Sequence, residues 1–198
     1  GVGLRMQKAT DSIVEAAFNE GKILRTHVMR PTWHFVMPHD IWWMLKLTAP
    51  RVKRILASYD RKLGITQEVL MESQKKMAEV LVGKNFLTRV ELAAQLEQVG
   101  IPSRAQRLAH LIMHAELDAL ICSGPKRGKQ FTYGLLEEVA PNAEKLPPER
   151  ALEKLALRYF TGHGPAQVKD FAWWSGLAAK DAQQRLDMAK AELIEEMV

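Results

Sequence analysis

Four side chains that can meet a polyanion recur along one segment of the chain. They are Arg104, Arg107, His110 and His114. Their separations of three and four residues put them on one side of an α-helix, where arginines can bind phosphate oxygens or the edges of bases. An ordinary solvent-facing helix has a similar composition, so the stripe predicts either a DNA-contacting helix or a solvated one.

A second group of cations follows that helix directly. Lys126, Arg127 and Lys129 lie in a glycine-bounded turn, which is either the tip of a hairpin that rests on phosphates or a solvated loop. The segment Gly124–Lys129 superficially looks like a phosphate-binding loop, but it is one residue short. Gln130 also stands where serine or threonine must bind magnesium. We therefore expect no nucleotide cofactor.

A third group lies near the N terminus, in two segments that alternate like strands. Its members are Arg25, His27, Arg30 and His34. Arg25 and His27 point to one face of their strand, where they can line a cleft for DNA. The neighbouring Trp33 can then hold an extruded nucleotide by stacking. The alternative is a structural hairpin with Trp33 and Phe35 in the core.

Metal binding and nucleophilic catalysis have no support in the residue spacing. The N-terminal histidines His27, His34 and His39 lack tight ligand spacing and a nearby cysteine pair, and the histidines of the later stripe lack a metalloprotease glutamate. Helix capping explains Ser12 and Ser103, and no serine follows a sharp strand-to-helix turn. We predict no metal site, no cofactor and no assignable catalytic residue.

The elements that position these groups follow from capping and breaking residues. Thr88–Glu91 and Ser103–Gln106 both match the capping-box pattern, and Gly100 and Pro102 separate the two helices that they begin. A hairpin ending near Tyr133 comes next. Helix, turn, helix and hairpin in this order predict a winged helix-turn-helix, whose second helix enters a DNA groove while the hairpin touches the backbone.

Other segments predict further helices and one more hairpin. The predicted helices are 12–19, 41–47, 51–62, 66–81, 149–160, 166–174 and one from 179 onward, the predicted strands are 23–28 and 32–36, and the predicted linker is 137–148. Pro50 is expected to end the helix that begins at Ile41. A weak repeat of 78 positions relates Val90 to Val168 and Ala94 to Ala172.

Composition is that of a packed protein, and its basic excess favours a polyanion partner, nucleic acid first, although many soluble proteins of this charge bind no nucleic acid. The 198 residues are 47% hydrophobic and 26% charged, with a formal net charge of +5. Cys122 is the only cysteine, and no apolar run is long enough for a bilayer, so we expect a cytoplasmic protein without membrane contact. The chain starts without methionine and stops inside an apparent helix, which predicts a piece of a longer protein.

Two long motifs carry a family resemblance. They are Arg25–Val36 (RTHVMRPTWHFV) and Arg158–Leu177 (RYFTGHGPAQVKDFAWWSGL). With the rest of the chain from about Leu4, they resemble a bacterial family of tandem winged-helix DNA-binding proteins that includes the AlkZ-like DNA glycosylases. Those enzymes remove alkylated bases and unhook interstrand crosslinks.

The resemblance implies an α+β, mostly helical fold of tandem winged helices with short β-hairpin wings. It implies that residues 1–58 are the end of a first unit, 59–145 a complete second unit and 146–198 the start of a third. In the characterised glycosylases a short glutamine-containing motif positions the attacking water, and it precedes the region where this chain begins. Gln7-Lys-Ala does not match that motif, so no catalytic residue is expected here.

Three functions are compatible with these observations. The first is double-stranded DNA binding as part of an AlkZ-like glycosylase that acts on alkylated bases, without a small-molecule cofactor. The second is a non-enzymatic DNA-binding protein such as a transcriptional regulator. The third is a winged helix used for protein–protein contact. Lesion, DNA sequence preference and oligomeric state are not encoded in any recognisable pattern.

Overall fold

A computed structural model describes Lys8, residues 10–177, Lys180 and Gln183, and it confirms a mostly helical α+β fold. The chain divides into two compact units, Gly1–Glu144 and Lys145–Val198. The elements of the first unit are α1 (Asp11–Asn19), β1 (Leu24–His27), β2 (Trp33–Val36), α2 (Ile41–Lys62), α3 (Gln67–Leu81), β3 (Leu87–Thr88), α4 (Arg89–Gln98), α5 (Ala105–Leu117), β4 (Ile121–Arg127), β5 (Gln130–Leu135) and α6 (Leu136–Val139). The second unit contains α7 (Pro148–His163) and α8 (Val168–Ser175).

Both predicted hairpins are present as antiparallel strands. β1 pairs with β2, with Leu24 opposite Val36. β5 lies between β3 and β4 in a three-stranded sheet, so the sheet order is β3-β5-β4. Gly128 closes the β4–β5 turn with a φ of +62°, a conformation that glycine adopts without strain. The chain therefore runs helix, strand, helix, helix and two strands from α3 to β5.

Helix α5 is at the centre of the first unit. On one side Leu108, Leu111 and Ile112 join α3, α4 and the three-stranded sheet in the main core. On another side Met113 and Leu117 pack against Ala49, Val52 and Leu56 of α2. From Leu111 to Leu117 every residue of α5 is buried. Burial on this scale is the main stabilising contribution, at about 25 cal/mol per Å² of apolar surface removed from water.

The predicted break at Pro50 is wrong, because α2 continues from Ile41 to Lys62 with Pro50 inside it. Proline removes one backbone hydrogen bond, to the carbonyl of Lys46 four residues earlier. Pro50 and Lys46 are both exposed, so water can satisfy that carbonyl. Buried Val52 and Leu56 hold the following turns against α5, and this packing outweighs the local cost.

Capping confirms two helix starts and corrects two others. The box of Thr88 and Glu91 is complete, and the Thr66 hydroxyl accepts the Val69 amide. The predicted box at Ser103 is wrong: Arg104 occupies the N-cap, and the Ser103 hydroxyl donates to the Ile101 carbonyl instead. Thr10 rather than Ser12 caps α1.

The described part of the second unit contains a cluster of aromatic rings around Tyr159. Tyr159 lies within 5.2 Å, centroid to centroid, of both Phe160 and Phe171, and it stacks on His163 at 4.6 Å. Helix α7 extends through His163, beyond the predicted end at Phe160. Of the helix predicted from residue 179 onward, only Lys180 and Gln183 are among the described residues, and both are helical. No helix in the described part of the chain is long and apolar enough to cross a membrane.

Candidate nucleic-acid interface

The two histidines of the predicted stripe face a neighbouring helix. His110 Nδ1 lies 2.7 Å from Asp60 Oδ1, and His114 Nε2 lies 2.9 Å from Asp60 Oδ2. Asp60 belongs to α2, so one carboxylate joins two successive turns of α5 to that helix. His114 is buried, as is Asp60. This arrangement assigns both histidines to the α2–α5 packing, and a direct DNA contact by either remains only a prediction.

Only the first turn of α5 faces solvent. Arg104 has a side chain that is 90% exposed, and its Nε lies 3.5 Å from Glu97 Oε1, a surface pair of little energetic weight. Arg107 is half-buried because its guanidinium donates to the carbonyls of Leu63 and Gly64 at the end of α2. Arg104 is therefore the member of the stripe that is best placed to meet an external phosphate.

An arginine that the sequence analysis missed lies beside this turn. The Arg89 side chain donates from Nη2 to the Ala105 carbonyl at 2.9 Å, which joins the start of α4 to the start of α5. Helical periodicity could not group Arg89 with the stripe, since 15 residues and a turn separate it from Arg104. The Thr88 cap could have indicated it, because that cap places Arg89 at the first position of α4.

The hairpin tip is braced from two sides. Lys126 receives support from α1, since its amide donates to Asn19 Oδ1 at 2.9 Å and its Nζ lies 2.9 Å from Glu15 Oε1. Arg127 is held by Glu91 Oε1 at 2.7 Å and by the Phe86 carbonyl at 2.6 Å. These contacts fix the hairpin and partly neutralise two of its three cations.

Lys129 completes the tip. Among the predicted site residues within the described part of the chain, it alone has neither a hydrogen bond nor an ion pair, and it is exposed. The first turn of α4 connects the whole region, because Glu91 holds Arg127 and Arg89 holds the first turn of α5. We call the set of Arg89, Arg104, Arg127 and Lys129 the cationic edge.

His27 is engaged inside the protein. Its Nδ1 makes a short hydrogen bond with Glu116 Oε2 of α5, and both side chains are buried. Burial raises the pKa of Glu116, and the hydrogen bond and charge of His27 together with the charge of Arg25 offset part of that rise. The pair joins β1 to α5, so His27 contributes to the packing of the first unit, and a contact of His27 with DNA remains a prediction.

Arg25 lies between two aromatic rings. Its guanidinium carbon is 3.4 Å from the centroid of Phe131 and 4.3 Å from that of Trp33, and its Nε donates to Ser123 Oγ at 3.2 Å. Burial lowers the pKa of Arg25, although the group stays charged at neutral pH because a free guanidinium titrates far above it. Trp33 and Phe35 are 45% and 43% exposed, so neither ring is a core residue.

The remaining predicted residues of this group, His34 and Arg30, lie in β2 and in the β1–β2 turn. His34 Nδ1 is 3.0 Å from the Thr32 carbonyl, and burial lowers the pKa of the ring below its ordinary value. Arg30 is half-buried in the β1–β2 turn, where its amide donates to the Val28 carbonyl at 2.8 Å. A contact of either residue with DNA remains a prediction.

Three groups with metal-ligand chemistry come together elsewhere in the first unit. Ligand atoms of His39, Asp40 and Glu144 lie within 4.8 Å of one another. Their observed contacts are structural: Glu144 donates its amide to the His39 carbonyl at 2.8 Å, and Asp40 Oδ1 accepts from Trp43 Nε1 at 3.1 Å. These bonds tie the end of the unit to the start of α2, and the expectation of no metal remains a prediction.

The chain is similar to proteins of known activity. A sequence model of the family described as "DNA glycosylase AlkZ-like" matches residues 1–198. The "Interstrand DNA cross-link repair glycosylase" of Streptomyces sahachiroi is 26% identical over 183 residues, which cover 89% of this chain and 49% of that protein. The solved structure of Streptomyces sahachiroi DNA glycosylase AlkZ is 23% identical with a TM-score of 0.78, covering 98% of this chain and 54% of that one. The chain thus spans about half the length of these relatives.

Proposed function

The chain belongs to the AlkZ-like DNA glycosylase family, and we propose from this membership that it binds double-stranded DNA as part of a base-excision repair protein. The observation that carries the proposal is the cationic edge, which joins the exposed starts of α4 and α5 to the β4–β5 tip through the Glu91–Arg127 and Arg89–Ala105 contacts. Arginine and lysine on three adjoining elements can follow a phosphate backbone.

We interpret the segment from α3 to β5 as a winged helix. Its order of helix, strand, two helices and two strands supports this interpretation. In that motif the second helix of the pair approaches a groove and the hairpin contacts the backbone. Because α5 is buried from Leu111 onward, we propose that only its first turn, at Arg104, approaches DNA. The expected contacts are then mainly with phosphates, and base-specific readout is a minor part.

Excision of alkylated bases is the finer part of the proposal. Hydrolysis of the glycosidic bond requires an extruded base and a water molecule that is positioned and polarised for attack. The described residues include no carboxylate or glutamine that we can assign to that water. We therefore propose that this chain supplies DNA binding, and that the water-positioning group is supplied from outside the described residues.

Two assays separate these parts. Fluorescence anisotropy with a labelled duplex tests whether the 198-residue chain binds DNA, and a charge-reversed variant, Arg104→Glu with Lys129→Glu, is expected to lose that binding. Release of a methylated base from a duplex is then measured with the complete product of the gene. Binding without base release would leave a non-enzymatic DNA-binding protein. Absence of duplex binding by the wild-type chain would remove the proposal.

A further inference from the structure

The β1–β2 hairpin has two unlike faces. Leu24, Thr26 and Val36 are buried on one face. On the other face, the cross-strand pairs are Arg25 opposite Phe35 and His27 opposite Trp33. Because side chains alternate along a strand, Trp33 and Phe35 share that second face, and they are 45% and 43% exposed. Met37, directly after β2, is 54% exposed, so this segment presents three large apolar side chains to solvent.

Trp33 is held by two residues of β1. Its ring meets Arg25 at 4.3 Å and the ring of His27 at 4.7 Å, and both partners belong to β1. His27 is fixed in turn by Glu116, and Arg25 by Phe131 and Ser123. The indole is therefore held on its β1 side while almost half of the residue faces solvent, which pre-organises it for a second stacking partner.

We propose that Trp33 stacks on a nucleobase that has lost its pairing partner in a DNA duplex. This inference rests on the proposed function and names the residue that would recognise a disrupted base pair by stacking on its unpaired base. Aromatic rings bind unstacked bases because every base has a π-face. Arg25 and Lys126 both approach the ring of Phe131, so the surroundings of Trp33 carry positive charge, which suits a base in a polyanionic strand.

The charge of Arg25 further specifies the base. One face of the indole already holds a guanidinium cation, which draws on the negative electrostatic potential of the ring. A second cation on the opposite face would gain less and would be repelled by Arg25. Alkylation at a purine ring nitrogen makes the base cationic, so Trp33 should prefer a neutral base. The occupant is therefore the orphaned base opposite a lesion or gap in the stack, and not the alkylated base itself.

A fluorescent base analogue tests this directly. 2-Aminopurine is placed opposite an abasic-site analogue in one duplex and in a normal pair in another. We expect the wild-type chain to quench the orphaned 2-aminopurine and to bind that duplex more tightly than the paired one. Trp33→Ala should abolish the quenching and weaken binding to the abasic duplex by about tenfold to hundredfold, the range of one lost base stack. Trp33→Phe should keep most of both signals.

Matched controls separate this inference from duplex binding in general. Tyr59→Ala removes another exposed aromatic side chain, on α2, and should leave the affinity for both duplexes and the quenching of 2-aminopurine unchanged. Thermal unfolding of each variant reports whether it folds, and the exposed position of Trp33 predicts a small change. If Trp33→Ala binds and quenches like the wild type, the inference is overturned while the proposed function stands. If a cationic 7-methylguanine opposite the abasic analogue depends on Trp33 more than guanine does, the assignment to a neutral base fails.

Discussion

Glu116 is a carboxyl group without access to water, and its protonation is coupled to folding. Burial raises its pKa above the ordinary value for glutamate, so the folded state holds a proton at pH values where the unfolded chain has released it. The free energy of unfolding should therefore fall as the pH rises from about 4.3 through the raised pKa. Below that range the contribution of this group is fully present.

Glu116→Gln tests that coupling. Glutamine keeps the shape and a hydrogen-bonding oxygen for His27 but does not titrate, so the variant should lose less stability across this pH range than the wild type. Urea unfolding at a series of pH values measures the difference. Glu72→Gln, at an exposed position on α3, should keep the wild-type pH dependence. Identical pH slopes for Glu116→Gln and the wild type would show that the buried carboxyl does not govern the coupling.

Lys129 gives the sharpest residue-level prediction for DNA binding. Lys129→Ala should weaken binding to all duplex sequences alike and reduce the slope of log affinity against log salt by about 1, as expected for one lost phosphate contact. The control is Lys75→Ala, which removes an exposed lysine of α3 outside the cationic edge. A loss that depends on the DNA sequence, or an equal loss with the control, would contradict a phosphate contact at the hairpin tip.

Sequence spacing indicated which residues share a helix side but not what that side faces. The stripe that begins at Arg104 is real as a helical surface, yet His110 and His114 meet Asp60, which lies 50 and 54 residues earlier in the chain. A partner at such a separation is fixed by tertiary packing of α2 on α5. Local periodicity could not identify Asp60 as that partner. It also could not show that the Arg25 side chain lies between Phe131 and Trp33.

At the scale of elements, caps and breakers predicted most helix starts correctly. Thr88 and Thr66 cap because their hydroxyls reach free backbone amides one turn ahead. Ser103 has the same pattern but fails, since its buried hydroxyl is turned to the Ile101 carbonyl. Pro50 does not end α2, because the buried residues Val52 and Leu56 beyond it pack against α5 and continue the helix.

Pro50→Ala should stabilise the protein. Alanine restores an amide donor for the Lys46 carbonyl and has the higher helix propensity, and the greater freedom of the unfolded chain offsets part of this gain. We expect the free energy of unfolding to rise by about 1–2 kcal/mol, measured by urea titration. Pro102→Ala, at an exposed site in the turn before α5, should give no such rise. A loss of stability at Pro50 would show that the proline is required by the shape of α2.

Thr88→Ala should destabilise the start of α4. The threonine hydroxyl accepts the Glu91 amide, and the Glu91 carboxylate accepts the Thr88 amide, so the variant loses half of a reciprocal pair. The expected cost is about 1 kcal/mol in the free energy of unfolding. Ser12→Ala serves as the comparison, since Ser12 bonds only to the exposed Thr10 hydroxyl, and it should change stability little. Equal effects at the two sites would contradict the assigned capping box.

At the scale of the whole molecule, the fold uses its central helix mainly for packing. Helix α5 contacts α2, α3 and β1, which leaves its first turn and the braced hairpin to meet a ligand. Composition alone, with a net charge of +5, predicted a polyanion partner but not where the charge is concentrated. The division into winged-helix units 1–58, 59–145 and 146–198 remains a prediction, as does the third unit.

The salt dependence of duplex binding by the 198-residue chain tests the central claim most directly. Binding through the cationic edge should release about three or four counterions, so log affinity should fall against log salt concentration with a slope of about −3. Anisotropy titrations with one duplex across a range of salt concentrations give that slope. A slope near zero, or no binding even at the lowest salt, would contradict DNA recognition by this surface.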